Sequence, residues 1–247
     1  MRLTVIGSGD AFGSGGRFNT CFHLAAAAST ILIDCGASSM VALRAAGVDP
    51  NGIDGILLSH LHGDHFGGLP FFLLNAQYAS RREKPLAIAG PPGTRDRVAA
   101  LLEVTFAGST GNTWRFPWAV TDIEVGAPTE FLGFTVTSTE VIHFSGAPST
   151  ALRVTDGRRL IAYSGDTQWT DALLDVARDA DLFIVECYDY ERDFAGHMNW
   201  TTLQRRLVEF AARRVMITHM NPSVLARLDD IRSADVLVAA DGLVIEV

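Results

Sequence analysis

The chain has 247 residues, 48% hydrophobic and 19% charged, and its 28 acidic against 20 basic side chains give a formal net charge of −8 at pH 7. That balance excludes an intrinsically disordered chain. Three cysteines, Cys21, Cys35 and Cys187, with no Cys-x-x-Cys pair, exclude a disulfide scaffold, a zinc knuckle and a dithiol redox centre. The acidic balance disfavours an extended nucleic-acid tract, whose affinity comes from many Lys and Arg contacts to phosphates, but leaves room for one small phosphate-binding site.

In chain order, Leu3–Ile6 reads as a strand, and Gly7 to Gly16 as a Gly-rich turn that lacks both the Gly-Lys-Ser/Thr ending of a P-loop and the dinucleotide fingerprint. Cys21–Ala25 and Thr30–Asp34 read as a hairpin, Ala37–Ala46 as a helix stopped by Gly47, and Gly55–Leu58 as a short buried strand ending at Ser59. Leu69–Arg81 has the apolar spacing of a buried helix, Leu86–Ala89 reads as a strand, and Thr94 is placed to cap a helix through Phe106. The stretch from Trp114 to Val154 is β-rich, with runs at Phe131–Thr139, Glu140–His143 and Thr150–Val154. Leu160–Tyr163, a helix at Asp171–Arg178, Leu182–Glu186, a helix at Thr201–Ala212 and Val215–Thr218 follow. Strands first, then β-α units, then the same again, predict two sheets packed together with helices outside. No linker or low-complexity tract divides residues 1–247, so a single domain is expected. Met1 runs into the first strand without a signal-peptide pattern, and no apolar run approaches the roughly 18 residues that span a bilayer. A cytoplasmic protein with no membrane contact is therefore expected, and a homo-oligomer is compatible with the sequence.

Seven histidines are present, and three fall in Ser59-His60-Leu61-His62-Gly63-Asp64-His65. Given the His and Asp content, His-x-His-x-Asp-His would arise by chance in about four such chains in ten thousand. Imidazole nitrogens and a carboxylate suit borderline divalent ions. His60 and His62, two apart in an extended segment, project to one side and can grip one ion. Asp64 and His65 follow where Gly63 lets the chain turn, so they can face a second ion. Four ligands cannot satisfy two ions, and three further candidates stand at strand ends: His143, Asp166 in Ser164-Gly165-Asp166, and His219.

These residues carry a resemblance. The chain resembles the metallo-β-lactamase-fold hydrolases, whose motif order is matched by residues 60 to 65, His143, Ser164-Gly165-Asp166-Thr167 and His219. The resemblance implies an α/β (α+β) four-layer αβ/βα sandwich with two mixed sheets. It also implies His60, His62 and His143 on one ion, Asp64, His65 and His219 on the other, and Asp166 bridging them. Within that superfamily the chain is similar to the ribonuclease Z-like phosphodiesterases, through Gly7-Ser8-Gly9, Gly90-Pro91-Pro92-Gly93-Thr94 and His197 before the helix at Thr201. The resemblance gives His197 a catalytic task at the phosphate or the leaving group, with Asp64 the other catalytic candidate. It departs in one respect: no basic, Gly-rich tRNA-gripping arm is visible between Pro92 and Thr139.

Two cations would lower the pKa of a shared water and polarise a phosphoryl oxygen, so a metal-dependent hydrolase of a small or cyclic phosphodiester is expected, acting by metal-bound hydroxide. Zinc suits the His-rich set best, with manganese or iron as alternatives. The competing readings are a thioester, lactone or aryl sulfate hydrolase, a tRNA 3′-processing endoribonuclease, and a non-hydrolytic metal redox module. Asp34 is a candidate carboxylate behind a metal-bound histidine. Glu186 and Asp189 follow a buried-looking strand and could line the site, with solvated loop carboxylates the blander and favoured reading; Cys35 reads as buried packing and His23 as a core or edge residue. Among Trp114, Trp118, Trp169 and Trp200, periodicity selects no substrate-stacking residue.

Overall fold

Alternation within the strands dictates the layering. In β1 (Arg2–Gly7), Leu3 and Val5 face one way and Ile6 the other. In β2 (Cys21–Ala25) and β3 (Thr30–Ile33), Phe22, Leu24, Ile31 and Ile33 share the face of Leu3 and Val5, with Cys21 and Leu32 opposite. Side chains two apart share a strand face, and a strand apolar on both faces needs cover on both. The computed structural model, which describes residues 1–232 and 235–247, provides that cover in four layers.

The first sheet continues with β4 (Gly55–Leu57), β5 (Leu86–Gly90) and β6 (Trp118–Asp122). The second is built from β7 (Pro128–Phe131), β8 (Phe134–Glu140), β9 (Thr150–Thr155), β10 (Leu160–Tyr163), β11 (Leu182–Glu186), β12 (Val215–Thr218) and β13 (Leu237–Val238), after which β14 (Val244–Glu246) returns to the first. The orders are β14-β1-β2-β3-β4-β5-β6 and β13-β12-β11-β10-β9-β8-β7. In each sheet four neighbouring strands run parallel, β3 to β6 in one and β10 to β13 in the other, and the remaining pairings are antiparallel.

The inner faces of both sheets meet in one apolar cluster that includes Val5, Phe22, Ile33, Val136, Tyr163 and Ile184. Outside the first sheet lie α1 (Ser39–Ala45), α2 (Gly63–Phe66), α3 (Leu69–Leu74) and α4 (Thr94–Thr105). Leu43, Phe72 and Val98 of these helices pack on Leu32, Ile56 and Ile88. Outside the second lie α5 (Ala172–Ala177) and α6 (Trp200–Arg206), with Leu173 and Trp200 on Phe183 and Val185. Two short helices, α7 (Pro222–Leu225) and α8 (Leu228–Arg232), follow β12. This is the metallo-β-lactamase αβ/βα sandwich that the motif order implies, and no described helix is long and apolar enough to cross a membrane.

Several predicted boundaries shift for local reasons. The helix expected over Leu69–Arg81 is α-helical only to Leu74 and then widens into a π-turn over Asn75–Ala79. There the buried Arg82 guanidinium donates to the carbonyls of Pro50, Ile53, Lys84 and Pro85. Thr94 is the first helical residue and not the cap, because its hydroxyl donates back to Pro91 O at 2.6 Å instead of accepting from the helix. The run Phe131–Thr139 breaks into β7 and β8 at Leu132–Gly133, both at positive φ (53° and 83°), a tight hairpin. The strand expected over Glu140–His143 ends at Glu140, which frees His143 from the sheet. The helix expected over Thr201–Ala212 gives way to a 3-10 turn at Leu207–Glu209. Residues 92–139 form α4, a 3-10 turn, β6, β7 and most of β8, joined by connections of no more than six residues.

Candidate metal centre

The parallel strands end toward one rim, and the polar side chains collect there, as in other open α/β sheets. After β4, Ser59 to His62 leads into α2, so Asp64 and His65 project from a first helical turn and not from the loop bend expected at Gly63. After β3, Asp34 sits fully buried at φ 59°. Its carboxylate accepts from Ser59 N and Ser59 Oγ, each at 2.8 Å, and from His65 Nδ1 at 2.8 Å. Because Ser59 Oγ donates to Asp34, it accepts from His60 Nδ1 at 3.0 Å. One carboxylate thereby fixes the tautomers of both histidines and aims both Nε2 lone pairs inward. The two loops touch backbone to backbone: Cys35 N donates to His65 O at 2.6 Å, and a Cβ on Gly36 would lie 2.1 Å from Asp64 O, which explains the glycine.

The second sheet delivers its donors from separate strand ends. His143, beyond β8, donates from Nδ1 to Gly196 O at 2.8 Å and brings Nε2 within 2.9 Å of His62 Nδ1. Asp166 follows β10. His219, beyond β12, is held at φ 61° with its N–H donating to Ser8 O at 3.2 Å, so the Gly-rich turn after β1 braces it.

Two donor groups result, each with atoms mutually within 4.8 Å: His60, His62 and His143, and Asp64, His65, Asp166 and His219. Asp166 Oδ2 lies 3.3 Å from His65 Nε2 and 3.4 Å from His219 Nε2, and also 3.8 Å from His60 Nε2 and 3.9 Å from His143 Nε2. It therefore reaches both groups. His60 Nε2, His65 Nε2, His219 Nδ1 and Asp166 Oδ1 are buried without any hydrogen-bond partner. Orphaned buried donors and acceptors are costly, and two of these, His60 Nε2 and His65 Nε2, face the Asp166 carboxylate at 3.8 and 3.3 Å, as a site for divalent cations requires. All seven expected ligands are thus brought together.

Electrostatics separates the two groups. Burial takes the His143 imidazole down to about 4 and lowers His60 and His62 as well. Burial also works against a charged His219, but Asp166 and the hydrogen bond to Asp64 outweigh it and lift that imidazole to about 9. His65 rises for the same reason, beside Asp166, Asp64 and Asp34. The mixed nitrogen and oxygen set fits borderline divalent ions.

His197 lies beside both groups, 4.0 Å from Asp166, and geometry alone also allows it into groupings with His143 or His219. Its Nδ1 is taken by Glu186 Oε2 at 3.1 Å, which leaves it a partner of Glu186. Glu186 corrects the sequence reading: it is no solvated loop residue but the fully buried last residue of β11, also accepting from Thr167 N. Nothing in its local sequence separates it from a strand-end carboxylate in water. Asp189 is buried too, but is spent on Asn221 and Ser223. Tyr188, not foreseen, packs 4.7 Å from the His197 ring. Cys35 is buried as expected, its thiol pushed up to about 12 by burial. His23 sits half-buried on β2, away from the centre.

A family described as Anti-Pycsar protein Apyc1 matches the chain over residues 1–237. Probable metallo-hydrolase YhfI of Bacillus subtilis (strain 168) is 27% identical over 228 residues, 89% of this chain and 87% of that protein. Its crystal structure, described as a metallo-beta-lactamase fold protein, superposes over 100% of this chain and 99% of that one with a TM-score of 0.80. Ribonuclease Z of Mycobacterium sp. (strain KMS) is 29% identical over 176 residues, covering 68% of this chain and 61% of that one. A diphosphatase from the PhnP family shares the fold at TM-score 0.79 and 18% identity, over 100% of this chain and 97% of that one.

Proposed function

The chain belongs to the Anti-Pycsar protein Apyc1 family and is a metal-dependent hydrolase of the ribonuclease Z-like, metallo-β-lactamase-fold kind, and we propose that it hydrolyses a small or cyclic phosphodiester with two divalent ions, zinc first among them. The observation that carries the reading is the pair of converging donor groups, both within reach of Asp166, with the His197–Glu186 pair alongside. His60, His62 and His143 would hold one ion and Asp64, His65 and His219 the other, with Asp166 within reach of both groups. Bound there, divalent ions supply Lewis-acid stabilisation of the phosphoryl oxygens and an activated water.

The chain's own residues do the rest. Burial disfavours a charged His197, but the hydrogen bond and charge of Glu186 outweigh it, so this imidazole holds a proton at higher pH than a free one. Glu186 fixes its tautomer, and His197 passes the proton to the departing ester oxygen, a contribution of about 10²- to 10⁴-fold. Asp64, kept ionised by His65 and His219 against its burial, anchors the second group. Burial raises all three thiols, which leaves no activated cysteine nucleophile and supports direct attack by water.

The test is parallel assay of metal-quantified protein on a bis-aryl phosphate, an aryl sulfate, a thioester and a lactone. Turnover of the phosphodiester, lost on His197→Ala with metal content retained, is expected; preferential turnover of the sulfate, thioester or lactone would overturn the reading. A second reading, tRNA 3′ processing, is favoured by the likeness to Ribonuclease Z. The formal charge of −8 speaks against a long RNA tract. A tRNA precursor belongs in the same panel.

A further inference from the structure

The rings of His60, His65 and His143 each rest on a neighbour through Nδ1: on Ser59 Oγ at 3.0 Å, Asp34 at 2.8 Å and Gly196 O at 2.8 Å. His219 lacks that support, because its buried Nδ1 meets no hydrogen-bond partner among the described residues. Its aim therefore depends on its backbone, which stands at φ 61°, a conformation that a residue with a side chain keeps only where its surroundings impose it. Ser8 imposes it here. The Ser8 carbonyl accepts from His219 N at 3.2 Å and from Thr218 Oγ1 at 3.4 Å, and Gly9 bridges to Met220 one residue further on.

Ser8 is itself fixed from the far end of the chain. Asp241 lies in the segment between β13 and β14, which crosses from the second sheet to the first. Its Oδ1 accepts from Ser8 N at 2.9 Å and from Ser8 Oγ at 2.7 Å, and its Oδ2 accepts from Phe18 N at 2.9 Å. Arg17 closes the circuit, donating from Nη1 to Ser8 Oγ at 2.9 Å and to Ala239 O. Three donors thus converge on one side chain. A carboxylate meets them with an acceptor at each end, whereas a carboxamide would turn a donor toward one of them.

We propose that Asp241 is a positioning residue of the His219 donor group: it holds Ser8, and the Ser8 carbonyl holds His219 in the conformation that presents its ring to Asp64 and Asp166. Asp241 is to the second sheet what Asp34 is to the first, acting through a peptide group instead of an imidazole. The inference rests on the reading that this group holds a divalent ion, and adds what keeps one of its ligands in place. Partners behind metal ligands set affinity by fixing ligand orientation, and their loss weakens binding by about 10- to 100-fold. Asp241 stands one link further out, so the lower end of that range is expected.

The experiment measures zinc affinity of metal-stripped protein, by competition with a chelating dye, in two backgrounds. His143→Ala leaves the His219 group whole, and His219→Ala leaves the group of His60 and His62 with His143. Asp241→Ala should weaken zinc about tenfold in the first background and leave it unchanged in the second. Hydrogen exchange at the His219 amide of metal-free protein should be faster in Asp241→Ala. Ser8→Ala, which removes the hydroxyl but keeps the peptide N–H and carbonyl, should speed it less. Equal losses of zinc affinity in both backgrounds would mark a general loosening of the fold and overturn the proposal, as would unchanged exchange at His219. If Asp241→Ala does not fold, Asp241→Asn carries the same comparison with a smaller loss expected. A wild-type protein that takes up no zinc would overturn the metal reading itself and the proposal with it, an outcome distinct from failure of the proposal alone.

Discussion

The first sheet delivers His60, His62, Asp64 and His65 from one loop and one helical turn after β4, whereas the second delivers His143, Asp166 and His219 from three separate strand ends. The first set is locked by a single carboxylate, Asp34, through Ser59 and His65. The second set is held by whatever backbone lies nearby: Gly196 O for His143 and Ser8 O for His219. The difference teaches that a metal centre at a sheet rim can be half motif and half topology. The motif half carries its positioning in a few neighbouring residues, and the topological half borrows it from loops far away in the chain.

The largest effect expected from breaking this division is at Asp166, the residue that belongs to both groups. Asp166→Ala should bring phosphodiester turnover to background and lower the metal content per chain, measured by elemental analysis; full metal content with retained turnover would dissolve the shared-carboxylate account. His197→Ala, on the second-sheet side but outside both donor groups, should cost about 10² to 10⁴ in kcat while leaving metal content intact. Asp34→Asn should weaken metal affinity by about 10- to 100-fold, read by competition with a chelating dye, because it unlocks His65 and Ser59 together. Were the locking inessential, that variant would bind metal like the wild type.

The smallest effect is in pH, and it distinguishes the groups from each other. In metal-free protein the folded His219 titrates near 9, above its ordinary 6.5, so it favours the folded state fully below that ordinary value and loses the contribution as pH rises through about 9. His143, held down to about 4, is the reverse: it costs stability as pH falls from its ordinary value toward 4. Thermal melts of the metal-free protein should therefore peak in between. Protons compete with metal for His219 but not for His143 at neutral pH, so the group of His60, His62 and His143 should fill first. Titration calorimetry at neutral and alkaline pH would show the second site tightening as pH rises toward 9; equal pH dependence at both sites would contradict the asymmetry.

What could be read in advance follows the same division. The cluster at residues 60 to 65 is legible because its ligands are neighbours, and the strand-end positions of His143, Asp166 and His219 are legible because each closes an apolar run. The layers are legible from alternation in strands such as Leu182–Glu186, where Leu182 and Ile184 face the inner core and Phe183 and Val185 the helices. Glu186 is not, because a buried carboxylate at a strand end looks in sequence like a solvated one, and only His197 folding over it reveals the pairing. The bracing of His219 by Ser8 is invisible in sequence because the two stand at opposite ends of the chain. The π-turn before Arg82 is followed by a guanidinium bound to carbonyls of Pro50 and Ile53 in the loop before β4, which no local propensity encodes.

The most direct measurement is the number of zinc ions taken up per chain by metal-stripped protein, followed by titration calorimetry alongside phosphodiester turnover. The two-group account predicts two ions per chain, with turnover appearing only as the second site fills; a plateau at one ion or fewer, with full turnover, would contradict it.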